Sequence, residues 1–372
     1  MRRVLLAFEP VEGGVPEHVL QLSMGLRARG WEVHVAGPAA SPFMPRFDAA
    51  GVTVHRLPLA RGSVAGDLRS ARELRRFDQE SRFDVVHAHS SKAGALARMA
   101  VGGGRVVYSP HCFAFNRETG LATKVFTWTI EQALIPRTRA VVAACDWERR
   151  QGSRVLRGAA RRTEVIEYGV EPCGDVSPDA ALREFAADVP LAGFIGRLEP
   201  QKDPVHLVRA FAAAVDGGAP GRLALVGNGP LADAVDAEID RRGLTGRASL
   251  FPFQPGRTRE YLRAFDLFVL GSRWEALPIS MLEAMTCGVP VLVTAVGGVP
   301  DLLDGRRGGR VVPAEDEGAL ASQLDELLRD DALRREIAAQ GQELAKTRFA
   351  RERMVTDVEA LYLRLLDERP SR

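Results

Sequence analysis

Two glutamates, Glu275 and Glu283, stand with seven residues between them in the segment R-W-E-A-L-P-I-S-M-L-E-A-M. Pro278 lies between them. A proline is favoured at the first helical position, where its missing N–H costs no hydrogen bond. The spacing therefore puts Glu275 in a loop and Glu283 about two turns into a helix. Carboxylates accept hydrogen bonds from hydroxyl groups, and the free N–H groups of a helix N-terminus attract anions. Such a pair suits a ligand that carries both hydroxyls and phosphate. Taken alone, the same spacing also describes a loop charge and a solvated helix residue.

A second segment, A-G-F-I-G-R-L-E-P-Q-K-D-P, covers residues 192–204. Its apolar start reads as a buried strand, Gly196 ends that strand, and Asp203-Pro204 starts a helix. Arg197 and Lys202 fall in the loop between. The chain holds 50 basic residues, and only Lys92, Lys124, Lys202 and Lys346 are lysines. A chain with so strong a preference for arginine has kept a lysine at 202. Arginine offers a fork to phosphate oxygens and lysine a point charge, so together they suit a diphosphate. Gly13-Gly14 follows a first strand and precedes Pro16; two glycines let backbone approach a ligand closely, and the helix beyond favours phosphate. His111 follows a strand and Pro110, where an imidazole can bond a hydroxyl or pass a proton.

These residues need elements to hold them. Short apolar runs read as strands near 3–8, 32–37, 52–56, 84–88, 105–109, 140–144 and 163–167, and again near 191–195, 222–226, 248–251, 266–270, 290–293 and 310–312. Helical stretches separate most of them, an alternation that predicts parallel α/β sheets. Such sheets bind ligands at the carboxyl ends of their strands, where most of the residues above lie. The Pro-, Gly- and Asp-rich stretch at 171–179 reads as a linker, giving domains over 1–172 and 180–350. Helical periodicity continues over 350–367.

Taken together, the motifs resemble the retaining family-4 glycosyltransferases, also called glycosyl transferases group 1. The residues that carry the resemblance are Gly13-Gly14 with His18, G-R-L-E-P-Q-K-D, V-G-N-G-P at 226–230, F-D-L-F-V-L-G-S-R, E-A-L-P-I-S-M-L-E-A-M, and G-V-P-V-L-V-T-A-V-G-G-V-P-D at 288–301. They span nearly the whole chain and are densest in its second half. The resemblance implies the GT-B fold: two Rossmann-like domains facing across a cleft, with a last helix, 351–372, crossing back to the first. It implies that domain 1–172 binds an acceptor and domain 180–350 a nucleotide-sugar donor. It implies that Arg197 and Lys202 meet the diphosphate, that Glu283 accepts from the ribose hydroxyls, and that Glu275 lies beside the donor sugar. Gly14, Leu277, Gly297 and Gly298 would offer backbone to the donor, and His111 would lie near the anomeric carbon. His18, His89 and Lys92 are expected on the acceptor side. Ala276 departs from the glycine that many relatives have there and bears on the conformation of that loop.

The expected activity is retaining transfer of a hexose from a UDP- or GDP-sugar to a hydroxyl of a glycan, an envelope lipid or a secondary metabolite. No cofactor is expected. No metal is expected either, because no Asp-x-Asp pair is present and the cations can neutralise a diphosphate. A nucleotide-sugar 2-epimerase of the same architecture and a non-catalytic nucleotide-sugar-binding protein are the competing readings. The pattern around Gly13-Gly14 is not G-x-G-x-x-G, which argues against a nicotinamide cofactor. A formal net charge of +2 does not argue for nucleic acid. The apolar run at the N-terminus is interrupted by Glu9 and reads as a strand, not as a signal peptide. Cys112, Cys145, Cys173 and Cys287 lack metal-site spacing and read as reduced thiols of a cytoplasmic protein. Arg150, Arg154, Arg157 and Arg161 have the spacing of one helical face, either solvated or meeting anionic lipid at an inner membrane face.

Overall fold

The computed structural model describes residues 1–59, 63–102, 104–116, 118–303 and 307–368. The last four residues of the expected 351–372 helix lie outside them. The chain divides into two compact units, Met1–Gly169 with Arg351–Arg372, and Val170–Ala350.

The first unit holds seven strands: β1 (Arg3–Phe8), β2 (Glu32–Pro38), β3 (Thr53–Leu57), β4 (Val85–His89), β5 (Val106–Ser109), β6 (Ala140–Ala143) and β7 (Thr163–Val165). They pair in the order β3-β2-β1-β4-β5-β6-β7, and every pairing is parallel. Parallel strands covered on both faces must be apolar throughout. In β1, Val4, Leu6 and Phe8 join one core while Leu5 and Ala7 join the core on the opposite face. The first core is closed by the helices Gly14–Ala28 and Arg351–Asp367, through Val19, Leu22 and Leu26 against Val355, Val358 and Leu361. The final helix is thus part of the first unit.

The second unit repeats the plan with β8 (Leu191–Ile195), β9 (Arg222–Val226), β10 (Ala248–Phe251), β11 (Leu267–Leu270), β12 (Val291–Thr294) and β13 (Arg310–Val312). Their order is β10-β9-β8-β11-β12-β13, again parallel. In both sheets the order reverses beside the first strand, between β1 and β4 and between β8 and β11. Sheets of this kind take their ligands outside the carboxyl ends of the strands at such a switch point.

Three local expectations need correction. Cys173 and Cys287 form a disulfide, while Cys112 and Cys145 stay outside it as buried thiols. The thiol argument for a reducing compartment therefore fails for two of the four cysteines; their pairing joins positions 114 residues apart, which spacing rules do not see. The helix that carries Arg150 and Arg154 runs Asp146–Val155 and stops at Leu156, in extended conformation. Arg157 and Arg161 lie beyond it, so the four arginines do not share a helical face. Pro278 precedes the helix Ile279–Thr286 as its cap, and Glu283 lies about one turn into that helix, not two.

Candidate active-site residues

In the second unit, the loop after β8 and the loop after β11 flank the switch point. They bring Lys202 and Glu275 together: Lys202 Nζ lies 2.5 Å from Glu275 Oε1. Ser272 Oγ donates to the same oxygen at 3.0 Å, and Gln201 Nε2 donates to Oε2 at 3.1 Å. Glu275 is buried, and Lys202 is largely so. Arg197 stands on the same loop as Lys202, paired with Glu199 at 2.6 Å and reaching Gln201 Oε1 at 3.4 Å.

Backbone bonds fix both loops. Leu198 N donates to Asn228 O at 2.9 Å, tying the first loop to V-G-N-G-P, and Arg273 N donates to Gln201 O at 2.8 Å, tying it to the second. Asp203 caps the helix Pro204–Asp216 through His206 N. Gly298 N donates to Ala276 O at 2.7 Å. Gly297 has φ +57, and a Cβ there would lie 2.3 Å from Glu275 O and 2.5 Å from Ala276 O. Only glycine lets this turn lie against the Glu275 loop. Leu277 is buried, and Glu283 is half-buried on the helix that follows. The expected donor residues 197, 202, 275, 277, 283, 297 and 298 are thus all carried by the second unit, while Gly14 begins the helix Gly14–Ala28 of the first, with Gly13 as its cap at φ 102.

In the first unit, β4 ends in H-A-H. Alternation puts His87 and His89 on one side of the strand, and their rings are 4.1 Å apart. His89 Nδ1 lies 3.0 Å from His111 Nε2, and His111 Nδ1 lies 2.7 Å from Tyr168 Oη. The ring of His18 packs edge-on against His89, His111 and Tyr168. His87 is held by Tyr362 Oη at 2.6 Å and Ser109 Oγ at 2.8 Å. A cavity of about 10 Å³, room for one water, is lined by His18, His87, His111 and Tyr168. His89 Nε2 and His18 Nδ1 are buried with no hydrogen-bond partner.

The chain Tyr168–His111–His89 has two self-consistent tautomers. If Tyr168 donates, His89 Nε2 carries a proton; if Tyr168 accepts, that nitrogen is bare. The two forms differ at the unpartnered end, where His89 Nε2 is a donor in one and an acceptor in the other. Burial keeps these rings neutral. It pushes His18 down to about 4 and His87 to about 3, and it holds His89 and His111 well below the ordinary 6.5, with neighbouring histidines adding to the effect for His87, His89 and His111.

His111 and Cys112 both sit at positive φ, 50° and 81°. Left-handed backbone at two successive non-glycine residues must be held by its surroundings. Glu148 holds it: Oε1 accepts Cys112 N–H at 2.6 Å and Oε2 accepts Ala144 N–H at 2.8 Å. Glu148 is fully buried, and that burial raises its carboxyl to about 7 against the two backbone bonds, which lower it. Lys92, expected on the acceptor side, pairs with Asp67 at 2.8 Å.

His18, His89 and His111 could also hold a metal ion, since one nitrogen from each lies within 4.8 Å of the others. The donor set suits a transition metal. The bond shared by His89 Nδ1 and His111 Nε2 would have to break if those were the ligating atoms.

Sequence reasoning passes over Gln201, Ser272, His87, Tyr168 and Glu148. His87 had a signal in the i, i+2 spacing of H-A-H, and Ser272 in its place just before Glu275. Tyr168 and Glu148 had none, because their partners are 57 and 36 residues away.

Two parallel Rossmann-like sheets, each with chemically apt loops at its switch point, define an α/β protein of the GT-B class. Residues 182–344 match the family of glycosyl transferases group 1, and residues 13–169 match the glycosyl transferase 4-like domain. The D-inositol 3-phosphate glycosyltransferase of Mycolicibacterium smegmatis is 30% identical over 358 residues, covering 85% of this chain and 79% of that protein. The putative glycosyltransferase EpsD of Bacillus subtilis is 24% identical, covering 91% and 90%. Among solved structures, sucrose-phosphate synthase from Thermosynechococcus elongatus superposes with a TM-score of 0.85 at 21% identity, covering 99% of this chain and 100% of that one. Anabaena HepE in complex with UDP-glucose gives 0.81 at 20% identity, covering 97% and 100%. The chain belongs to the family-4 type, group 1 glycosyltransferases.

Proposed function

We propose that this glycosyltransferase moves a hexose from a UDP- or GDP-sugar to a hydroxyl of a glycan, an envelope lipid or a secondary metabolite, with retention at the anomeric carbon. The observation that carries the reading is the Lys202–Glu275 pair between two switch-point loops, with Arg197 on one of them. Lysine has three N–H donors, and Glu275 engages one, so the others remain to meet phosphate oxygens. The leaving diphosphate gains charge as the sugar departs, and cations already in place stabilise it without reorganising. That HepE was solved with UDP-glucose favours a uridine donor here.

In the proposed step the bond from the anomeric carbon to the phosphate oxygen breaks. The acceptor oxygen bonds to the same face of that carbon, and its proton passes to the departing phosphate oxygen. Glu283 would accept from the ribose hydroxyls. His111, His89 and His18, kept neutral by burial, would bond sugar or acceptor hydroxyls without adding charge. The reading needs no metal, because Arg197 and Lys202 supply the positive charge.

The test is turnover of a panel of nucleotide sugars with candidate acceptors, in chelator, with the product's anomeric configuration read by NMR. Transfer with retention in chelator is expected. A product of inverted configuration, a new epimer of the nucleotide sugar, or activity restored only by added metal would contradict it.

A further inference from the structure

One helix of the first unit leaves several large apolar side chains in water. Leu121, Val125, Phe126 and Trp128, all on the helix Leu121–Leu134, are 78%, 53%, 64% and 39% exposed. Trp128 Nε1 donates to Val155 O at 3.0 Å, which brings the exposed Val155 into the same patch. Single exposed apolar residues are ordinary, but a cluster on one helix marks an interaction surface.

This helix is anchored at one end only. Its buried residues are Glu131 and Leu134. Glu131 pairs with the buried Arg98 at 2.8 Å and accepts from Tyr108 Oη at 2.7 Å. The turns before it project the apolar residues outward. Two of the three threonines there do not oppose entry into an apolar phase: Thr127 Oγ1 bonds Thr123 O and Thr129 Oγ1 bonds Val125 O, within the helix.

The charges beside the patch are mostly positive; Glu118, exposed just before the helix, is the acidic exception and has a partner of its own. Lys124 lies on the helix itself, and Arg154 adjoins Val155. Arg157 is joined to the helix by its N–H to Gln132 Oε1 at 2.8 Å. Among the described residues, Lys124, Arg154 and Arg157 have no ion pair. The helix's one carboxylate, Glu131, is already neutralised by Arg98.

We infer that this helix lies in the surface of an anionic lipid bilayer, with Phe126, Trp128, Leu121 and Val125 below the headgroups and Lys124, Arg154 and Arg157 on lipid phosphates. An in-plane helix with aromatic and aliphatic side chains on one side and cations at its edge has this chemistry. At 14 residues it is too short to span a bilayer. Charge complementarity selects the lipid surface over a second copy of this chain, whose equivalent face would bring the same cations together. The surface differs from the one that arginine spacing alone suggests, because apolar side chains form its centre.

Cosedimentation of the full-length protein with phosphatidylcholine vesicles, with and without phosphatidylglycerol, tests this without donor or acceptor, so its outcome is separate from the transferase reading. Binding is expected only with phosphatidylglycerol and should weaken with salt. Each cation removed should lower partitioning about fivefold. The R154E/R157E and F126S/W128S variants should both lose binding, and Val189→Ser, an exposed apolar residue of the second unit, should not. Should F126S/W128S melt early, Arg157→Glu alone carries the test. Absence of binding, binding indifferent to these variants, or a concentration-dependent dimer broken by F126S/W128S would overturn the inference.

Discussion

Lys202 Nζ and Glu275 Oε1 lie 2.5 Å apart although 73 residues separate them in the chain. Each ion compensates the other where water is largely excluded. Glu275 also receives Ser272 and Gln201, so three donors fix the carboxylate that in turn aims the ammonium. Glu275 is therefore a positioning residue for Lys202 as well as a candidate partner of the donor sugar.

Substitutions of this pair should not add. Lys202→Ala should lower kcat/KM about 100-fold, the scale of losing one charged donor to a developing anion. Glu275→Gln should cost nearly as much, because it releases the ammonium. The double variant should then be only slightly worse than either single one. Losses that multiply in the double variant would show that the two act independently.

Glu283 should behave differently. It stands on the helix that follows the Glu275 loop and is assigned to the ribose, which is unchanged in the transition state. Glu283→Ala should raise the donor KM with kcat nearly intact, whereas Arg197→Ala should lower kcat. A kcat defect in Glu283→Ala with unchanged KM would contradict the assignment.

The elements around these residues were legible because buried parallel strands are continuous apolar runs, and all thirteen strand readings have counterparts within about three residues at each end. The loops were legible because Glu275, Lys202 and Arg197 are unusual residue types at strand ends. What joins them was not: Ser272, Gln201 and the histidine–tyrosine chain are set by loop conformation and by contacts between distant segments. The arginine spacing misled because Leu156 turns extended before the second pair of arginines.

Stability should depend on pH through two opposed groups. His18, His87, His89 and His111 have folded pKa values below the ordinary 6.5. The unfolded chain therefore binds protons that the folded one refuses, and stability is lost as pH falls from 6.5 toward 4. Each contributes about 1.4 kcal/mol per pH unit in that window. Glu148, raised from 4.5 to about 7, acts in the other sense: its stabilisation is full below 4.5 and is lost as pH rises to 7. Glu148→Gln should thus steepen the acid loss between 4.5 and 6.5 by about 1.4 kcal/mol per unit. Denaturant melts across this range check it, and an unchanged slope would contradict the protonated, buried state of Glu148.

The Cys173–Cys287 bond closes a loop of 114 residues within the second unit and ends just past the helix that carries Glu283. Such a crosslink stabilises by about 2–4 kcal/mol, largely by restricting the unfolded chain. Reductant should lower the melting temperature of the wild type and leave Cys173→Ser unaffected. Four free thiols in the unreduced, unfolded protein would contradict the bond.

Calorimetry of nucleoside diphosphates and their sugars against the wild type, Lys202→Ala and Glu283→Ala tests the central claim most directly. One nucleotide should bind the wild type, stabilising it against melting by about 2.7 kcal/mol at 100 times its Kd. Its affinity should drop sharply in both variants. No binding by any nucleotide, or binding indifferent to both substitutions, would contradict a donor site built on these residues.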